Sequence, residues 1–80
     1  MIAPTIHLNG TSRDEISRQL EEAYAAVNAA IDALKRAAPN GRDYYPQGLD
    51  AIDRAMDEHF ARMLKLQSVA DEIENLANAF

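Results

Sequence analysis

The chain has no cysteine and no tryptophan, and only 6% of its 80 residues are aromatic. Without cysteine, neither disulfides nor thiolate metal ligands can reinforce the fold. Alanine supplies much of an apolar fraction of 48%, so large side chains available for burial are few. A single chain this short struggles to cover enough apolar surface by itself. Association is the remaining means of stabilisation, and a homo-oligomer is expected, a dimer first. No apolar run approaches the length of a membrane span or a signal peptide, so no membrane role is expected and a cytoplasmic setting is. Eight basic against 13 acidic residues leave a net charge of −5, which suits nucleic-acid phosphates poorly. Mimicry of DNA is also disfavoured, because acidic and basic residues alternate as they do on a solvated helix surface.

What is present reads as one all-α domain spanning 1–80. Residues 1–10, "MIAPTIHLNG", show no helical period and are expected as an extended arm. Ile6 and Leu8 alternate weakly with His7 and Asn9, so the arm is expected to lie across a helix or to pair with a partner's arm. A first helix is expected over 12–38. Ser12 followed by Glu15 fits a capping box, in which the hydroxyl accepts from the Glu15 amide and the carboxylate returns to the Ser12 amide. Ile16, Leu20, Ala23, Val27, Ile31 and Leu34 form its apolar stripe, with Tyr24 beside them. Lys35 and Arg36 suit the negative end of the helix dipole, and Pro39 ends the helix.

After a loop over 39–48, a second helix is expected over 49–79. Its seam, Ile52, Met56, His59, Met63, Leu66, Ala70, Ile73, Ala77 and Phe80, keeps a seven-residue repeat that implies coiled-coil-like pairing. Leu49, Phe60, Leu64, Val69 and Leu76 widen it. Asp50, Arg54, Glu58 and Arg62 form a ladder of alternating charge on the solvated side. Asp71, Glu72 and Glu74 crowd the negative dipole end with no base after Lys65. An antiparallel hairpin with Ala38 opposite Leu49 relieves this. It brings Arg13 and Arg18 toward Glu74, Glu72 and Asp71, and Glu22 toward Lys65. The width of the second apolar face implies a further hairpin, completing a four-helix bundle.

Few residues could carry chemistry. His59 stands on the apolar seam, where a metal ligand, a general base or a pH switch are the functional options. No inward carboxylates accompany it, and Met56 occupies the place of the glutamate in a di-iron motif. It is therefore assigned a structural role, paired across the helices with Asn28 as a buried polar layer that fixes register. Met56 and Met63 are read as core. The serines have no nearby histidine, and no phosphate-binding loop occurs, so neither an enzyme nor a cofactor is expected.

The connection "PNGRDYYPQG" is the richest segment. Asn40-Gly41 is expected to supply a left-handed tight turn, and Gly48 to free the entry to the second helix. Between them Arg42, Asp43, Tyr44, Tyr45 and Gln47 are the candidate ligand- or partner-binding residues. One reading has a tyrosine capping the hairpin on Leu34 or Leu49, with Arg42 and Asp43 bridging locally. The other uses Arg42 and a tyrosine ring to recognise an anion and an aromatic group, or as a protein-binding hot spot.

The pattern "PTIHLNGTS", then "APNGRDYYPQG", then an "EH" pair and an arginine in the second helix, resembles short proteins of tailed bacteriophages and prophages. The resemblance covers most of the chain and implies a phage-infected bacterial cytoplasm. It suggests an accessory protein that binds a host or phage protein. The alternatives are a binder of a nucleotide or other small anion through the loop, and a self-assembling phage component. In architecture alone the chain also resembles phage anti-defence hairpins that oligomerise and sequester cyclic-nucleotide signals.

Overall fold

A computed structural model describes residues 1–80. Two α-helices, α1 (Arg13–Arg36) and α2 (Ala51–Ala77), pack antiparallel, and residues 1–10 form an extended arm ahead of them. There is no strand. The molecule measures 61 × 19 × 15 Å, with a radius of gyration of 18.3 Å. A compact domain of this length has a radius of about 12 Å, so the shape is that of a rod.

The first helix starts on half of the expected capping box. Ser12 is extended, and its hydroxyl accepts from the Glu15 amide at 3.2 Å. The Glu15 carboxylate does not return to the Ser12 amide. It accepts instead from Nε and Nη2, one edge of the Arg18 guanidinium, and from Gln19. Arg18 also reaches Glu22 at 2.6 Å. The Arg18 hydrogen bond holds the Glu15 carboxyl below its ordinary pKa and raises that of Arg18. A charged fork one turn along the helix is a stronger donor than a backbone amide, which is why it wins the carboxylate.

The seam forms as its spacing requires. On α1, Ile16, Leu20, Ala23, Val27 and Leu34 are half-buried and Ile31 is buried. On α2, every seam position from Ile52 to Phe80 is buried or half-buried, with Ala70 fully enclosed. The small Ala70 is enclosed on the seam, and half-buried neighbours close its sides. Only Ile31, Ala51, His59 and Ala70 fall in the buried class.

Three expectations are corrected. The chain does not form a four-helix bundle: it has two α-helices, which make one helix–helix interface. The breadth of the apolar face on α2 is not used up by α1, and Phe60 and Leu64 remain 58% and 70% exposed. The interhelical ion pairs do not form either. All five ion pairs join residues on one helical segment: Glu15–Arg18, Arg18–Glu22, Asp32–Lys35, Asp50–Arg54 and Glu58–Arg62. The ladder on α2 is therefore two separate pairs.

The third correction is the register. Arg13 lies over the ring of Phe80, 6.0 Å from its centroid, rather than facing Glu74. Leu20 and Tyr24 share a hollow with Ile73, Ala77 and Asn78. The connection folds back along the start of α2, so Pro39 lines the same hollow as Ala51 and Ala55. The helices are thus displaced from the expected alignment, in which Arg13 faced Glu74. Arg13 is left as the cation at the carboxyl end of α2, where the last turn has no base of its own.

The arm also departs from simple alternation. Ile6 is half-buried, but Leu8 is 97% exposed. The Gly10 amide donates to the His7 carbonyl at 3.1 Å, which turns the chain before α1. The imidazole of His7 lies so close to Gly10 that a Cβ there would sit 2.7 Å from Nε2. Met1 reaches the flank of α2 near Leu64, Gln67 and Asp71, so the arm runs beside that helix.

Candidate binding surface at the loop end

The connection folds as two consecutive short 3-10 helices, Gly41–Asp43 and Tyr45–Gln47. Asn40 is extended, not left-handed, and its side-chain oxygen accepts from the Arg42 amide at 2.9 Å. An asparagine that caps a turn through its side chain has no need of the left-handed backbone expected for Asn40-Gly41. Gly48 is the one residue with positive φ, at 118°, with ψ at 167°. Essentially only glycine adopts that region, so Gly48 redirects the chain into α2.

This backbone gives the two adjacent tyrosines different places. Tyr44 is half-buried and lines a hollow of about 290 Å³ with Pro39, Gln47, Ala51, Arg54 and Arg62. Tyr45 is 77% exposed, and Leu49 is wholly exposed at the same end of the rod. Neither Leu34 nor Leu49 lines the hollow beside Tyr44. Arg42 and Asp43 are exposed, lie outside the hollow, and form no ion pair with each other. Of the five candidate residues, the structure thus brings together Tyr44 and Gln47. It leaves Arg42, Asp43 and Tyr45 on the surface.

The guanidinium groups near Tyr44 come from α2. Arg54 and Arg62 are two turns apart and border the hollow with Glu58 between them. Each is loosely held by a carboxylate one turn earlier, Arg54 by Asp50 at 3.5 Å and Arg62 by Glu58 at 3.6 Å. Such exposed pairs contribute little and open readily. Their eight-residue spacing puts them on one side of the helix, a signal visible in the sequence. That the loop returns to that side was not visible.

His59 and Asn28 are not a pair. His59 is buried and Asn28 half-buried, and no hydrogen bond joins them. The His59 ring is instead tilted against Phe60, with centroids 6.2 Å apart. No fully enclosed side-chain nitrogen or oxygen in the chain lacks a partner, so the imidazole nitrogens keep a margin of water contact. No group of three or more His, Asp or Glu side chains is placed to hold a metal ion. No helix is long and apolar enough to cross a membrane.

These features define a small two-helix hairpin with a turn-rich connection at one end. No protein-family model matches the chain, and neither a curated protein nor a solved structure is detectably similar to it.

Proposed function

We propose that the chain is a homo-oligomeric interaction protein, whose loop end engages a second protein in a phage-infected bacterium. The observation that carries this reading is the imbalance of burial. Four residues of 80 are buried, while Tyr45 and Leu49 project together from a loop held by its own caps and turns. A rigid tip with an aromatic ring and a bare leucine suits a protein contact, where such side chains act as anchors. Arg42 and Asp43 beside them supply a polar rim.

A photo-crosslinking residue in place of Tyr45, compared with one in place of Asp53, tests the reading in bacterial lysate. A discrete adduct formed only from position 45, and lost when Leu49→Asp is added, is the expected result. The same adducts from both positions would show that the tip has no selectivity.

A second reading rests on the hollow that joins Tyr44 and Gln47 to Arg54 and Arg62. An aromatic ring beside two loosely paired guanidiniums suits a nucleotide or another small anion with a flat group. Thermal-shift screening with nucleotides checks it. Stabilisation that disappears in Arg54→Ala and Arg62→Ala supports this reading, and no shift with any nucleotide removes it.

A further inference from the structure

We infer that a second copy of the chain docks on the outward flank of α2, crossing it steeply about a two-fold axis at Leu64. This rests on the homo-oligomeric reading and says where and how the copies meet. The first argument is area. The chain exposes 6034 Å². A compact folded chain of this mass exposes about 4,800 Å². The surplus, about 1,200 Å², lies over the arm, the loop end and this flank together, and is more than the roughly 800 Å² that one partner contributes to an interface of standard size.

The second argument is where the bare apolar surface lies. Phe60 and Leu64 are one turn apart on α2, and Met1 of the arm, 67% exposed, sits beside Leu64. Leu64 is the middle residue of Ala51–Ala77, so a two-fold axis there overlays the patch on itself. Phe60, Leu64 and Ser68 form one ridge at four-residue spacing. Two such ridges interlock when helices cross at about −50°. With the axis in the groove beside Leu64, Phe60 of each copy lies next to Ser68 of the other, a large side chain beside a small one.

The third argument is charge, and it selects the steep crossing. Asp53 and Asp57 precede the patch on α2, and Asp71 and Glu72 follow it. Two copies of α2 laid side by side would bring these carboxylates together in either direction. A steep crossing confines contact to the centre and spreads the acidic ends apart. The residual repulsion is screened by salt. Added salt should therefore tighten this dimer, whereas an association built on ion pairs would weaken.

Sedimentation equilibrium of the full chain tests the inference. The wild type should be a dimer at micromolar concentration and should associate more tightly in 0.5 M than in 0.05 M sodium chloride. Leu64→Glu should weaken association about a hundredfold or more, while Val69→Glu on the opposite flank should change it less than about threefold. Because the chain has no cysteine, Leu64→Cys gives a second test that does not depend on a folded glutamate variant. Mild oxidation should convert it to a covalent dimer of unchanged helical content. A monomeric wild type would overturn both this inference and the homo-oligomeric reading. A wild-type dimer that neither responds to Leu64→Glu nor cross-links through Leu64→Cys would overturn the docking site alone.

Discussion

The two sides of α2 carry similar residues to opposite ends. Its inner seam and its outer flank both present large apolar side chains, Met56 and Met63 two turns apart on one, Phe60 and Leu64 one turn apart on the other. Every seam position is buried or half-buried, whereas Phe60 and Leu64 on the flank stand exposed. Apolar composition alone does not make a core residue. What matters is whether the connectivity brings another element over it, and one connection in a hairpin can cover only one side.

Paired substitutions sharpen that contrast. The largest difference should lie between Ile31→Ala and Leu64→Ala. Ile31 is 5% exposed in the seam, and its truncation should cost about 2 kcal/mol or more. Leu64→Ala, measured by urea unfolding at concentrations where the chain is monomeric, should stay within about 0.5 kcal/mol. Equal losses would mean that the two sides of α2 are covered alike.

Within the connection, Gly48 and Gly41 offer the same kind of comparison. Gly48→Ala forces a side chain into a glycine-only conformation and should cost about 1–3 kcal/mol. Gly41 has no positive φ, and a Cβ there meets nothing within 4 Å. Its replacement by alanine should change the thermal midpoint little, or raise it slightly by restricting the unfolded chain.

The two helix starts differ more modestly. Ser12→Ala removes a side-chain cap and should cost about 1 kcal/mol. Asp50 makes no capping hydrogen bond, so Asp50→Ala should lose only the weak, exposed pair with Arg54. Urea titration of both variants checks the order. The smallest effect is on pH. Glu15 has its carboxyl pKa depressed by Arg18, so its contribution is fully present above the ordinary glutamate value. That contribution is lost as the pH falls through the lower folded value. Comparing Arg18→Gln with the wild type by thermal melts at falling pH should show the difference only above that window. It should also shrink in salt, because the pair is open to water.

Much of the fold was legible in local chemistry. The four-and-three spacing from Ile52 to Phe80 names the covered side of α2, and Ser12 and Pro39 bracket α1. Local patterns failed where two distant segments had to be aligned. Arg13, Arg18 and Glu74 suggested a register through charge, yet Arg18 was satisfied by Glu15 and Glu22 on its own helix. Near neighbours capture an exposed guanidinium before a partner helix can, since they add little ordering cost. The candidate site was half legible. The loop stood out by composition, but nothing in "DYYPQ" separates Tyr44 from Tyr45.

The residue pattern by itself determined two amphipathic helices, where they begin, and the seam along which they meet. Each follows from interactions within one or two turns of chain. The tertiary structure decided the register, the fold-back that turns Tyr44 inward and leaves Tyr45 outward, and the bare Phe60–Leu64 flank. Those depend on how a connection of some fourteen residues spends its length between Arg36 and Ala51. Two successive 3-10 helices and one glycine at positive φ redirect that path, so the alignment of the helices is set by the connection and not by the pattern within either helix.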